Sequence, residues 1–203
     1  MKLFDFTLAP NPRRVRMFAA EKGLNLPTEQ VDLTQGKSRT PEFLAINPAG
    51  RVPVLQLDDG SYLAESNAIA HYLESLHPEP NLCGRDARER ATIEMWERRM
   101  ELDLFTTILR AFLHTHPMNA QRIKQIKEYG ESQAAAAQTQ LEWLDRQLKG
   151  KEFIAGPRFT IADITAFTGI EFGIALAGIR VDLALGDLSR WHRGVSARPS
   201  TKA

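Results

Sequence analysis

"NPAGRVPVLQLDDGSYLAESNAIAHYL", residues 47–73, carries three different backbone signals in one run. Its middle sets "DDG" between the apolar runs "VPVLQL" and "SYLA", and Asp-Gly between two such runs is a strong short-range sign of a β-hairpin. Pro53 opens the first run, where it removes a ladder donor. It is either an ordinary edge-strand proline or the mark of a sharp turn, often through a cis bond, that leaves the N–H and C=O of Val52 open to an extended peptide. Taken by itself, Pro53 reads as the edge proline. From Ser66 the period becomes helical: Ile69, Tyr72, Leu73 and Leu76 share one face, with Ser66 as the N-cap.

Working back toward the N-terminus, "KLFDF" (residues 2–6) is a short apolar strand. The turn that follows leads into a helix with Val15, Phe18 and Ala19 on one face, ended by Gly23. "TEQVDL" alternates Val31 and Leu33 with polar neighbours and suits a second, half-buried strand. "TPEFLAI" reads as a short helix with Thr40 as N-cap and Pro41 at its first position. Residues 1–76 therefore give β-α-β-α-β-β-α, an α/β domain.

Working forward, "HPEPNLCGRD" lacks periodicity, and residues 77–86 read as a linker. Residues 87–203 read as an all-helical domain. One helix is expected from Arg85 to His114, with Ile93, Trp96, Met100, Leu104 and Ile108 recurring at threes and fours, and another from Gln121 to Leu148. "FTIADITAF" predicts a capping box, Thr160 with Asp163, and a staple of Phe159 on Ile164. Losing Thr160 should cost about 1 kcal/mol. Gly169, Gly173 and Gly178 read as sites of close backbone packing in the helix that follows.

The chain has 203 residues, enough for two small cores. With 26 Lys and Arg against 25 Asp and Glu, its net charge of +1 creates no global field for nucleic acid or an anionic membrane, so a small ligand is expected. One cysteine, Cys83, excludes an internal disulfide, and no apolar leader opens the sequence, which points to the cytoplasm. The stretch from Phe153 to Ile179 is broken by Arg158, Asp163 and Glu171 and reads as a buried core helix rather than a membrane span. His114 and His116 would diverge on a helix, so no metal site is expected. Arg13, Arg14 and Arg16 read as solvated or salt-bridged.

Glu65 and Ser66 form the most suggestive pair. A helix start offers free N–H groups and partial positive charge to a carboxylate, while Glu65 offers the opposite charge to an amine, which together match the two α-groups of an amino acid. A plain helix start with an acidic flank is the other reading. Val52 as a peptide-pairing residue, with the cations Lys37, Arg39 and Arg51 in the preceding loop, favours the first.

These residues carry a resemblance. "NPAGRVPVLQLDDGSYLAESNAIAHYL" resembles the glutathione-binding stretch of the cytosolic glutathione transferases, and "FIAGPRFTIADITAF" resembles the capping box of their second domain. The resemblance covers nearly the whole chain and implies a thioredoxin-like N-terminal domain followed by an all-α helical bundle. It implies that Val52, ahead of a cis-Pro53, pairs with the cysteinyl backbone of glutathione. By the same resemblance Glu65 and Ser66 hold the γ-glutamyl end, and Arg51 with Arg39 meets the glycyl carboxylate.

The departure lies in "APNPRRVR", residues 9–16, where Ala9 stands in the place of the usual Ser or Cys. This resembles a bacterial and fungal subgroup without a Tyr, Ser or Cys that touches the sulfur. There the helix N-terminus does the work, and such a site lowers a thiol pKa from about 8.5 into a range of roughly 3.5–7.5. The catalytic candidates are Asn11, as a donor to the thiolate or an ordinary turn residue, and His114, as a holder of water over the sulfur or an exposed helix-end side chain. The expected activity is conjugation of glutathione, as co-substrate, to a small hydrophobic electrophile lying against Met100, Leu104 and Phe105, in a cytoplasmic homodimer. Glutathione-dependent peroxide or disulfide reduction, and a non-catalytic ligand carrier of the same fold, are the alternatives.

Overall fold

The computed structural model describes residues 1–180 and 184–203. The chain divides into two compact units, Met1–Asn81 together with Pro199–Ala203, and Leu82–Arg198. Residues 181–183, within the expected helical domain, lie outside the described residues.

The first unit contains β1 (Lys2–Asp5), α1 (Pro10–Glu21), β2 (Thr28–Gln30), α2 (Pro41–Ile46), β3 (Val54–Gln56), β4 (Tyr62–Ala64) and α3 (Ser66–Leu76). Its sheet runs β2-β1-β3-β4, with β1 and β2 parallel and the other pairs antiparallel. The thioredoxin-like order follows from the hairpin at residues 54–64 and the crossover helix α1. β2 is shorter and earlier than the alternation of Val31 and Leu33 predicts. It is an edge strand with all three residues exposed, and Val31 is buried just past it, its N–H bonded to the Asp5 carbonyl at 2.7 Å. Phe4, Val31, Phe43, Val52 and Val54 form the core on this side of the sheet. Thr40 caps α2 as expected, accepting the Phe43 N–H at 3.4 Å.

On α3, Ile69 and Leu73 are buried, but Leu76 is exposed, against expectation. The inward face turns instead to Ala70 and Glu74, because the buried Lys22 ammonium pairs with Glu74 at 2.5 Å and donates to the carbonyls of His77 and Pro80 at 2.7 and 2.8 Å. The C-terminal 3-10 turn, Pro199–Lys202, packs with α1: Arg13 donates to the Thr201 carbonyl at 3.0 Å and Ser200 to Glu21.

The second unit contains α4 (Ala87–Arg99), a π-helical stretch (Met100–Phe105), α5 (Thr106–Thr115), α6 (Lys127–Leu148), α7 (Ile161–Leu176) and α8 (Gly186–Ser196). The expected single helix from Arg85 to His114 is thus continuous in path but π-wound at its centre. Met100, Leu104 and Phe105 are buried, which removes them as an open wall for an electrophile. Phe105 needs Gly169, where a Cβ would come within 2.8 Å of its ring, and Ile108 needs Gly173 in the same way at 2.9 Å. Gly178 does something else: its φ of +67° supplies the left-handed turn just past α7. α6 begins at Lys127 rather than Gln121, since a 3-10 turn at Pro117–Asn119 occupies the approach.

The capping box at Thr160 and Asp163 is present, and Asp163 does more than cap. Its fully buried carboxylate accepts from the Thr160 N–H and hydroxyl at 2.9 and 3.0 Å, from the Ile154 N–H at 3.0 Å and from Trp191 Nε1 at 2.8 Å. Burial pushes this carboxyl above its usual range, and the donors pull against that shift. Asp163→Ala would strand several buried donors at once. We expect it to cost about 3–5 kcal/mol, with a fall in Tm of about 10 °C, well beyond the roughly 1 kcal/mol of a lost cap. Thermal unfolding of Asp163→Ala beside Thr160→Ala checks this, and equal losses in the two would contradict the wider role of Asp163.

Candidate functional site

Two loops and two helix starts in the first unit carry the site residues the sequence singled out, apart from His114. The loop between α2 and β3 is built on Asn47, which is nearly buried. Its amide donates to the Arg51 carbonyl at 2.8 Å and its side-chain oxygen accepts the Ala49 N–H at 3.1 Å. Gly50, with φ +59°, turns the chain where a Cβ would lie 2.7 Å from Nη1 of Arg39, and Arg39 reaches across to the Ala49 carbonyl at 3.2 Å. This frame presents Arg51 outward and sets Val52 immediately before β3.

The Val52–Pro53 bond is cis. Among the described residues, neither the N–H nor the C=O of Val52 has a hydrogen-bond partner. An edge-strand proline alone would not require this. A polar backbone pair left open beside a largely buried side chain is a place for an extended peptide to add itself.

At the start of α3 the structure moves the cap by one residue. Glu65, not Ser66, is the N-cap, and no side chain caps the helix. Glu65 has φ +69°, the one left-handed non-glycine among the described residues, at a cost of about 1–3 kcal/mol. The first helical bond runs from the Ile69 N–H to the Glu65 carbonyl at 2.9 Å. The N–H groups of Ser66 and Ala68 lie ahead of it without acceptors among the described residues, and the Ser66 hydroxyl stands beside them. An exposed carboxylate on a strained residue next to free N–H donors fits an amine and a carboxylate on one carbon.

The start of α1 is barer still. Ala9 is its N-cap and offers no side-chain acceptor. The Ala9 N–H is already bonded to the Phe6 carbonyl at 2.8 Å, and the Arg13 N–H to the Ala9 carbonyl at 3.4 Å. Pro10 and Pro12 have no N–H to give. Among the described residues, that leaves Asn11 with the single open backbone donor of the first turn, while its side-chain oxygen accepts from Arg14 at 3.4 Å. Of the neighbouring cations, Arg16 pairs with Asp5 at 2.5 Å and Arg14 is buried.

A family model described as "Glutathione S-transferase, N-terminal domain" matches residues 9–76, and one described as "Glutathione S-transferase, C-terminal domain" matches residues 119–193. The chain belongs to the glutathione S-transferase family. Glutathione S-transferase 2 of Saccharomyces cerevisiae is 34% identical over all of this chain and 88% of that protein. A maleylacetoacetate isomerase of Pseudomonas aeruginosa is 30% identical over 95% of this chain and 92% of its own length. The crystal structure of a glutathione S-transferase domain-containing protein from Marinobacter aquaeolei superposes with a TM-score of 0.94 at 39% identity, covering 99% of this chain and 100% of that one. This glutathione transferase uses glutathione as its co-substrate.

His114 belongs to the helical unit of the transferase. Its Nδ1 accepts the Ile126 N–H at 3.0 Å, and its ring stands edge-on to Tyr129. With Nδ1 committed as an acceptor, the neutral ring carries its proton on Nε2. His114 there completes the approach to α6. Asn47 is the site residue that sequence reasoning missed, although an Asn bonding two residues ahead is a common turn device.

The clamp reading makes a direct demand. Ser66→Ala removes a hydrogen bond to a charged carboxylate, about 1.5–3 kcal/mol, so glutathione affinity should fall roughly ten- to hundred-fold while folding is unchanged. Titration calorimetry checks this, and unchanged affinity would displace the γ-glutamyl end from Ser66.

Proposed function

We propose that this glutathione transferase conjugates the glutathione thiolate to small hydrophobic electrophiles, with the sulfur held by the backbone of Asn11. The observation that carries this reading is the single open N–H on a helix start otherwise stripped of donors by two prolines. A thiolate there gains one directed hydrogen bond and the partial positive charge of α1, and Ala9 brings no side chain into the space it needs. Glu65 and Ser66 fix the γ-glutamyl end, Val52 pairs with the cysteinyl backbone, and Arg51 with Arg39 neutralises the glycyl carboxylate. Catalysis is then thiolate stabilisation plus positioning, with no side-chain base. His114, the other catalytic candidate, has an Nε2–H to offer, so in this reading it donates to a water and does not abstract a proton.

No helix among the described residues is long and apolar enough to cross a membrane. The balanced charge and the single buried cysteine favour a cytoplasmic setting. We take the protein as a homodimer. Met95 and Leu102 stay exposed along α4 and its π-helical continuation, apolar surface that a second copy would cover.

Two substitutions at one position separate backbone from side chain. Asn11→Ala keeps the N–H, and the apparent thiol pKa of bound glutathione should stay within about 0.3 unit of wild type. Asn11→Pro removes the N–H, and the pKa should rise by about one unit or more, worth roughly 1.4 kcal/mol. The ultraviolet thiolate absorbance of the bound tripeptide against pH reads both. A rise of a unit in Asn11→Ala would transfer the role to the side-chain amide.

A further inference from the structure

The turn that presents Asn11 is held by a closed ring of hydrogen bonds that touches no part of the glutathione clamp. Asp5, at the end of β1, is buried with 1% of its surface exposed. One of its oxygens accepts from Nη1 of Arg16 at 2.5 Å, and the other from Nε2 of Gln30 at 2.9 Å. Gln30 faces Asp5 in the parallel register of β1 and β2. A second polar atom of each of these two partners reaches Thr7. Oε1 of Gln30 accepts both the Thr7 N–H, at 3.1 Å, and the Thr7 hydroxyl, at 3.0 Å, while Nη2 of Arg16 donates to the Thr7 carbonyl at 3.1 Å.

Every polar group of Thr7 is therefore tied through Gln30 or Arg16 to one buried carboxylate. Thr7 lies two residues before Ala9, the cap of α1, and Arg16 lies on α1 itself. The ring links the strand end, the neighbouring strand, the turn and the helix body. The turn needs such support. Leu8, inside it, is 68% exposed, and among the described residues the Ala9 N–H to Phe6 carbonyl bond alone holds it from within.

We propose that Asp5, Arg16 and Gln30 are positioning residues for the thiolate: the ring fixes the turn so that the lone Asn11 N–H keeps one place and direction. This rests on the reading of Asn11 given above. A lone donor makes the requirement strict, because a helix start with three open N–H groups tolerates a shift of the sulfur and a start with one does not. Where the turn is loose, the thiolate loses its donor for part of the time and its pKa rises, while the γ-glutamyl clamp on α3 is untouched.

Gln30 is the place to test it, because it is exposed and uncharged. Gln30→Ala changes none of the charges that bear on the sulfur. Arg13 and Arg14 on α1, the Arg16–Asp5 pair at its base, and Glu65, Arg39 and Arg51 in the clamp all remain. A pKa shift in this variant then reports position rather than charge. Thr7→Ala is the internal control, since it keeps both backbone bonds of Thr7 and loses only the hydroxyl. The probes are glutathione, for the thiolate absorbance against pH, and S-methylglutathione, which has no titrating sulfur, for affinity by calorimetry.

We expect Gln30→Ala to raise the apparent thiol pKa by about half a unit to one unit, a three- to ten-fold loss of thiolate, and Thr7→Ala to raise it by less. Affinity for S-methylglutathione should stay within about twofold of wild type in both. Arg16→Lys, which keeps the charge but cannot reach Asp5 and the Thr7 carbonyl together, should repeat the pKa rise. An unchanged pKa in Gln30→Ala overturns the proposal, and so does an equal loss of S-methylglutathione affinity, which would make the ring a structural brace of the whole site. Failure of the wild-type protein to bind S-methylglutathione would instead remove the glutathione site, and the ring's role with it.

Discussion

A helix cannot begin without leaving N–H groups that ask for acceptors, and the way each helix here meets that demand separates scaffold from site. Thr40 caps α2 and Asp86 caps α4, accepting from Phe43 and Glu89. His114 takes the Ile126 N–H at the start of α6, Asp163 closes α7 from within, and Asp145 accepts the Leu188 N–H at 2.8 Å in α8. α5 has no free start, because it continues the π-helical stretch. Only α1 and α3 begin without a side-chain acceptor among the described residues, and these two starts bracket the residues proposed to bind glutathione. In the function proposed above, these are the donors that glutathione satisfies.

The two open starts differ in kind, and their difference suits the two parts of glutathione that the proposed function assigns to them. At α3 the donors are several and the adjoining carboxylate of Glu65 is exposed, which suits the flexible zwitterionic end of a tripeptide. At α1 two prolines have reduced the donors to one, which suits a single sulfur whose charge must be favoured at one point. The three consecutive functions of Pro10, Asn11 and Pro12 are thus a subtraction, a donor and a subtraction. Extra open N–H groups there would let the sulfur settle at more than one point.

Much of this was legible in the sequence because it rests on local rules. The Asp-Gly hairpin, the Thr40 cap, the Thr160–Asp163 box and the change of period at Ser66 each involve residues a few positions apart, where spacing and geometry are nearly the same thing. What stayed hidden depends on residues that only the fold brings together. Gln30 sits on an exposed edge strand and reads as an ordinary polar residue until β1 and β2 are paired in register. Asp163 reads as a cap until Trp191 and Ile154 arrive from elsewhere in the chain. Leu76 looks buried by its period and is not, because the burial of Lys22 draws Glu74 inward in its place. The π-helical stretch leaves no mark on a pattern that already recurs at both threes and fours.

The hidden residues share a physical character. Asp5, Asp163 and Glu74 are carboxylates in or near the interior, each held by several donors, and each joins elements that are far apart in sequence. A buried charge is costly unless its partners are all in place, so such a residue enforces one arrangement of its surroundings more strictly than an apolar side chain, which accepts any neighbour of suitable volume. That strictness matters most where a single donor must stay aimed. Apolar packing can put α1 beside the sheet, but a few tenths of an ångström of slip costs such packing little. The Asp5 ring, with both carboxylate oxygens and all three polar groups of Thr7 engaged, turns that soft placement into a fixed one, and it does so from behind the turn, leaving the front of α1 bare for the proposed thiolate.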